Sequence, residues 1–190
     1  SLGQKVFACN GAASFLHEKG IRVDYQVILD ARPGNAQFLL DIPSYVASHC
    51  DPAVFDAAPK ATIYHVNTDG IVEALNGKQA DLISTGSTVG LIAMGIAYYT
   101  GYRNLHLFGL DSSYTDEHHA YSQPMNDDDA IIEAEASGRT FKCAPWMVLQ
   151  AQQFQSLAAQ LANEDCVITV AGDGLLPHVA RQMCNQQEVA

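Results

Sequence analysis

The stretch TGSTVGLIAMGIAYYTGYRNLHLFGLD, Thr85 to Asp111, decides the fold. It opens on a hydroxyl-rich glycine turn, Thr85-Gly86-Ser87-Thr88. The segment from Ser87 to Thr100 is almost wholly apolar and predicts a helix with no polar face, which belongs inside a molecule rather than on its surface. Asn104 to Leu110 then predicts a strand that ends on Asp111. A buried helix leading into a buried strand is the signature of a sheet covered on both faces.

The same alternation extends outward in both directions. Before this stretch, strands are predicted at Lys5–Cys9, Tyr25–Leu29, Tyr45–His49 and Ala61–Val66, with Leu82–Ser84 a strand or the approach to one. Helices are predicted at Ala12–Lys19, from Asp51-Pro52 onward, and at Ile71–Leu75. Asp51-Pro52 offers an N-cap aspartate and a proline in the first turn. After it come a helix at Pro145–Asn163, a strand at Val167–Ala171 and a helix at Leu175–Met183. Strand-then-helix repetition predicts a doubly wound α/β domain with a mostly parallel sheet. No linker divides the chain, so residues 1–190 read as one domain. The stretch 112–138, acidic and poorly periodic, reads as a long loop, and loops of that length are usually functional or mobile.

Bulk properties exclude several classes. Hydrophobic residues make up 48% of the chain and charged ones 16%, enough for a sizeable core and too apolar for disorder. A net charge of −11 repels a phosphate backbone and argues against nucleic-acid binding. The five cysteines are scattered, with no CxxC, which points to reduced thiols and a cytoplasmic setting rather than zinc or disulfides. The apolar run Val89–Tyr99 is too short to span a bilayer. The chain opens on Ser1 rather than methionine, so a fragment, a processed form or a tagged chain is expected. Oligomeric state is left open.

In open α/β sheets, ligands bind beyond the carboxyl ends of the strands. The residues expected there are Asn10-Gly11, Asp30 with Arg32, Asn67–Gly70, Thr85–Thr88, Asp111–Ser113 and Gly172–Gly174. Thr85, Gly86, Ser87 and Thr88 suit an anion, because a helix start offers free N–H groups and the positive end of its dipole. An ordinary helix cap explains them as well. Arg32 can neutralise a phosphate, or serve only in a surface ion pair. Asp30 and Asp111 can hold a divalent cation such as Mg²⁺ or hydrogen-bond a ribose; turn formation and capping are the plainer account.

His118 and His119 in the 112–138 stretch are adjacent and cannot easily face one point; one of them is a candidate general base. A zinc site from Asp116, His118 and His119 lacks a recognised spacing. His17, His65, His106 and His178 read as packing residues, Cys143 as structural, and Trp146, Met147 and Leu149 as core.

Four segments resemble one known family in their order and spacing. They are Val6-Phe-Ala-Cys-Asn10-Gly11, Gly20-Ile-Arg-Val-Asp24-Tyr-Gln-Val-Ile-Leu-Asp30, Gly86-Ser87 before the apolar helix, and Leu107-Phe-Gly-Leu-Asp111 with His119-Ala120 downstream. Together they resemble the family named for 6-hydroxymethylpterin diphosphokinase, the MptE-like proteins. They are similar also to the bacterial motility accessory factors, which glycosylate flagellin with nonulosonic acids. The resemblance runs from about Val6 to Tyr121.

That resemblance implies a Rossmann-like α/β domain like that of bacterial sialyltransferases. It implies that Asn10, Asp30, Gly86, Ser87 and Asp111 surround a nucleotide-type ligand and that His119 is the histidine of the loop motif. The family usually opens with a Gly-rich strand-turn, and no such turn precedes Val6. The family is also chemically split. One expectation is glycosyl transfer from a CMP-linked nonulosonate to an unidentified acceptor, with His119 acting toward the acceptor or the leaving group. Another is diphosphate transfer from ATP to a pterin-like alcohol, with Mg²⁺ on Asp30 and Asp111. A third is a non-catalytic nucleotide-binding or interaction domain.

Overall fold

The apolar helix becomes the element around which a sheet curls. A computed structural model of the 190-residue chain describes residues 3–114 and 130–187, divided into two units, residues 1–100 and 101–190.

In the first unit, β1 (Phe7–Cys9), β2 (Tyr25–Ile28), β3 (Ser44–Ala47), β4 (Thr62–Val66) and β5 (Leu82–Ile83) form an all-parallel sheet in chain order. Helices α1 (Ala12–Glu18), α2 (Pro52–Ala57), α3 (Ile71–Leu75) and α4 (Val89–Tyr99) lie between or after the strands. Gly90 through Ala97 of α4 are all buried, as a helix without a polar face requires. Helix α4 packs on β1 and β2 and also on β5, the opposite edge, so the sheet wraps around it.

The first unit carries two core clusters. In the larger, Val27, Ile28, Val46, Ala47, Tyr64 and Val66 of the strands pack together with Ile92, Ala93 and Ile96 of α4. In the smaller, Ala8 packs with Ala13 of α1 and with Val23. Burial of this kind contributes about 25 cal/mol per Å² of apolar surface. The fold is α/β and Rossmann-like, with helices on both faces of a parallel sheet.

In the second unit, β6 (Asn104–Leu107) pairs in parallel with β9 (Val167–Val170). A hairpin of β7 (Ile132–Ala136) and β8 (Arg139–Cys143) turns at Ser137-Gly138, both at positive φ. Helices α5 (Pro145–Ala162) and α6 (Leu175–Gln187) complete it. Helix α5 buries Met147, Ala151, Phe154, Leu157, Ala158 and Leu161, spaced to share one stripe. No helix among the described residues is long and apolar enough to cross a membrane.

The structure departs from the sequence reading at several points. Residues 132–136 form a strand within the stretch read as loop, because they pair along β8. Pro33–Phe38 forms a short 3-10 helix, held by Asn35, whose side-chain amide donates to the carbonyls of Asp30 and Arg32. The third strand ends at Ala47 rather than at His49. Trp146 and Leu149, read as core, are exposed, since the buried stripe of α5 runs through Met147 instead.

Candidate functional site at the carboxyl edge of the parallel sheet

At the end of β1, Asn10 turns the chain at φ 44°, a left-handed conformation that asparagine tolerates. Its side-chain oxygen accepts from the N–H of Leu29 at 3.3 Å, and its carbonyl accepts from the amide of buried Gln26 at 3.1 Å. Gln26 also donates to the Phe38 carbonyl and accepts from the Leu40 N–H, so its buried amide is satisfied at both ends. Gly11 is buried and opens α1. The Asn10-Gly11 turn is thereby fixed to the end of β2.

At the end of β2, Asp30 faces Arg32. The Arg32 Nε lies 3.0 and 2.8 Å from the two carboxylate oxygens, Nη2 contacts Oδ2, and the Arg32 backbone N–H donates to Oδ1 at 3.0 Å. Hydrogen bonds from the Arg32 guanidinium, opposed by partial burial, hold the Asp30 carboxyl below its ordinary range. The Arg32 side chain is 68% exposed, so its guanidinium presents charge to solvent at the rim.

The turn before α4 is shaped by contact. Gly86 has φ +144°, and a Cβ there would lie 2.5 Å from Leu91 Cδ1. Thr85 packs on Gly95, where a Cβ would come within 2.5 Å of the Thr85 methyl. The Thr85 hydroxyl is buried without a hydrogen-bond partner among the described residues. Helix α4 starts after Thr88 with no side-chain cap. The half-buried Cys9, its thiol pushed up to about 12 by desolvation, donates to the carbonyl of Val89 at 3.8 Å. That contact sets the start of α4 beside the end of β1. Two turns far apart in sequence, Asn10-Gly11 and Thr85–Thr88, therefore meet at one edge.

Asp111 belongs to the second unit, just past β6. Its carbonyl accepts from the Leu176 N–H at 3.0 Å, and its side chain packs on Gly172. The Ser113 hydroxyl accepts from the N–H of Leu175, the first residue of α6. Asp173 receives Arg139 at 2.7 and 2.8 Å, and Arg181 at 3.5 Å. The Arg139 hydrogen bonds hold the Asp173 carboxyl below its ordinary range. Cys143 is buried, and its thiol donates to the Ser112 carbonyl at 3.3 Å, in keeping with a structural role. His118 and His119 lie outside the described residues, as do Asp116 and Asp127–Asp129.

The two carboxylates nominated for a cation are thus held separately, Asp30 by Arg32 in the first unit and Asp111 against Gly172 in the second. Both Asp30 oxygens face the Arg32 guanidinium. Among the described residues, no three cysteine, histidine or carboxylate side chains gather as a metal ligand set.

Two rim residues escaped the sequence reading. Because β3 ends at Ala47, Ser48 and His49 stand on the carboxyl edge. His49 Nε2 lies 2.8 Å from the Leu29 carbonyl, and His65 Nδ1 lies 2.9 Å from the Ser48 hydroxyl. The signal was present in Asp51-Pro52. A helix starting there leaves 48–50 for the turn, not the strand. Asp51 does cap α2, accepting from the Ala53 N–H at 2.9 Å.

No curated protein and no solved structure matches the chain. The model of one family, described as 6-hydroxymethylpterin diphosphokinase MptE-like, matches residues 4–117. The match takes in the whole edge from Asn10 to Thr88, and Asp111.

Proposed function

From the premise that the chain belongs to the 6-hydroxymethylpterin diphosphokinase MptE-like family, we propose that it is a nucleotide-dependent transferase whose donor phosphate sits between the Asn10-Gly11 turn and the start of α4. The observation that carries this reading is the meeting of those two turns through Cys9 and Val89. The start of a buried helix directs partial positive charge at that edge. Arg32 adds a full charge nearby, already oriented by Asp30.

Glycosyl transfer from a CMP-linked nonulosonate is the form the geometry favours. In that reaction the leaving phosphate takes up negative charge as the bond to the sugar carbon breaks. Dipoles and an arginine fixed in advance stabilise such charge without reorganisation. In this form Asp30 serves to orient Arg32 toward the leaving phosphate. His119 is proposed to meet the leaving group.

The printed family description favours the second form, diphosphate transfer from ATP to a pterin-like alcohol. That reaction needs Mg²⁺ to bridge phosphate oxygens. Asp30 would then have to release Arg32 to serve as a ligand.

A thermal-shift panel of CMP, CDP, UDP, ATP and GTP, each with and without Mg²⁺, separates the forms. A nucleotide at one hundred times its dissociation constant should stabilise the fold by about 2.7 kcal/mol. A rise with CMP or CDP alone supports glycosyl transfer. A rise with ATP only when Mg²⁺ is present supports diphosphate transfer. No rise with any of the five defeats both and leaves a non-catalytic domain.

A further inference from the structure

We infer that His49 is the general base that takes the proton from the acceptor hydroxyl in the proposed transfer; the inference rests on the transferase reading. Three observations carry it.

The first is position. His49 is exposed at the carboxyl edge, one turn past β3. Its ring bonds to the carbonyl of Leu29, and the N–H of the same Leu29 bonds to Asn10 at 3.3 Å. One residue, Leu29, therefore links His49 to the turn assigned to the donor phosphate.

The second is protonation. A carbonyl oxygen has no proton to give, so in the 2.8 Å contact His49 Nε2 must be the donor. In the neutral ring this leaves Nδ1 as the acceptor, with its lone pair unprotonated. A hydrogen bond from one ring nitrogen to a backbone carbonyl is the usual device for fixing the tautomer and aim of a catalytic histidine.

The third is rigidity. The backbone around His49 is held on three sides, with the Ser48 N–H on the Tyr64 carbonyl at 2.9 Å, Cys50 on Ala47 at 3.0 Å and Asp51 on Ala31 at 3.2 Å. Cys50 is buried beneath it. An exposed histidine on a loose loop has no such constraint, and a base works only when held within reach of its proton.

The step balances as follows. As the acceptor oxygen bonds to the transferred carbon, its O–H bond breaks and the proton passes to His49 Nδ1. The bond from that carbon to the donor phosphate oxygen breaks, and its electron pair leaves on the phosphate. The imidazolium returns the proton to solvent after product release. The acceptor class is thus a neutral hydroxyl, which needs a base, rather than a carboxylate, which does not.

The test uses the full chain and His49→Gln. The glutamine amide can still donate to the Leu29 carbonyl but has no basic nitrogen. Nitrogen-15 NMR of the imidazole in the unaltered protein should find the proton on Nε2 and none on Nδ1. His49→Gln should keep the melting temperature and its rise with CMP, while release of CMP from a CMP-linked nonulosonate falls by about 100-fold or more. A proton on Nδ1 would overturn the inference, whatever the variant does. So would wild-type CMP release by His49→Gln, or a loss of melting temperature with full activity in the folded fraction. If CMP does not stabilise the unaltered protein, the glycosyl-transfer reading fails first and the inference falls with it. If CMP stabilises it but His49→Gln turns over normally, the inference alone falls.

Discussion

Two glycine-bearing turns at strand ends look alike in sequence and behave differently in the structure. Thr85–Thr88 follows β5, and Gly172-Asp173-Gly174 follows β9. In both, the glycines are required by close approach. Gly86 lies under Leu91, and Gly172 and Gly174 lie against Asp111. The difference is in the polar groups. Around Asp173 they are consumed internally. Two arginines meet its carboxylate, and the N–H groups of Leu175 and Leu176 at the start of α6 go to Ser113 and Asp111. The turn at Thr85 leaves α4 without a side-chain cap and a threonine hydroxyl without a described partner. A buried polar group at a strand end that no neighbour satisfies, as with the Thr85 hydroxyl, is the kind that points to a ligand.

The sharpest way to break this comparison is Gly174→Ala. The new Cβ would overlap the Asp111 carbonyl oxygen and lie 2.7 Å from its Cβ. Backbone on both sides leaves nothing flexible to move. A loss of about 3 kcal/mol, the upper end for overpacking, should appear as a lower urea midpoint. A loss below about 1 kcal/mol would mean that Asp111 is not held where the structure has it, and the contrast between the turns would collapse.

Gly86→Ala comes next. Its Cβ meets the side chain of Leu91, 2.5 Å from Cδ1 and 2.8 Å from Cβ, at a φ that disfavours any side chain. Leu91 can shift a little, so about 2 kcal/mol is expected, again from urea midpoints. Here a second effect should separate the turns. The stabilisation by CMP should vanish with Gly86→Ala, since the α4 start would be displaced. In Gly174→Ala, measured on the protein that remains folded, it should persist. Equal loss of the CMP effect in both variants would count against a donor site at Thr85–Thr88.

Much of this architecture was legible because it rests on local signals. The α4 segment announced itself by its unbroken apolar run, and Ile71–Leu75 was bounded in advance at both ends. Strands β7 and β8 were missed because their inward positions are weak. Ala134 and Ala136 carry little apolar surface, and only Phe141 and Cys143 mark the facing strand. The 3-10 helix was missed because a buried asparagine holds it rather than a hydrophobic stripe. At the candidate site, the rim residues could be nominated from strand ends alone, but their mutual satisfaction could not. That Asp111 would fill the space over Gly172 and Gly174, or that Arg139 and Arg181 would share Asp173, depends on pairings between distant segments. The spacing of Asp30 and Arg32 was visible, but their bidentate geometry needed the turn that Asn35 holds.

The smallest effect is expected from Asp30→Asn, and it tests whether the rim of the first unit is poised or merely paired. The Asp30 carboxyl is held low chiefly by the hydrogen bonds of Arg32. A carboxyl with a depressed folded-state pKa contributes stability above its unfolded value, near 3.9, and loses it as pH falls through the folded value. Arg32 is largely exposed, so solvent screening limits the contribution at pH 7 to less than about 1 kcal/mol. Asp30→Asn should therefore lower the urea midpoint slightly at pH 7, and the difference should shrink toward zero as the pH is taken below the folded pKa. The same substitution frees the Arg32 guanidinium from a competing carboxylate. If the pair serves to aim Arg32 at a phosphate, CMP affinity should fall in spite of the gain in net positive charge, because orientation is lost. If the pair is only a surface ion bridge, affinity should rise with that charge. The direction of the change in CMP dissociation constant, measured by calorimetry at low salt, decides between them.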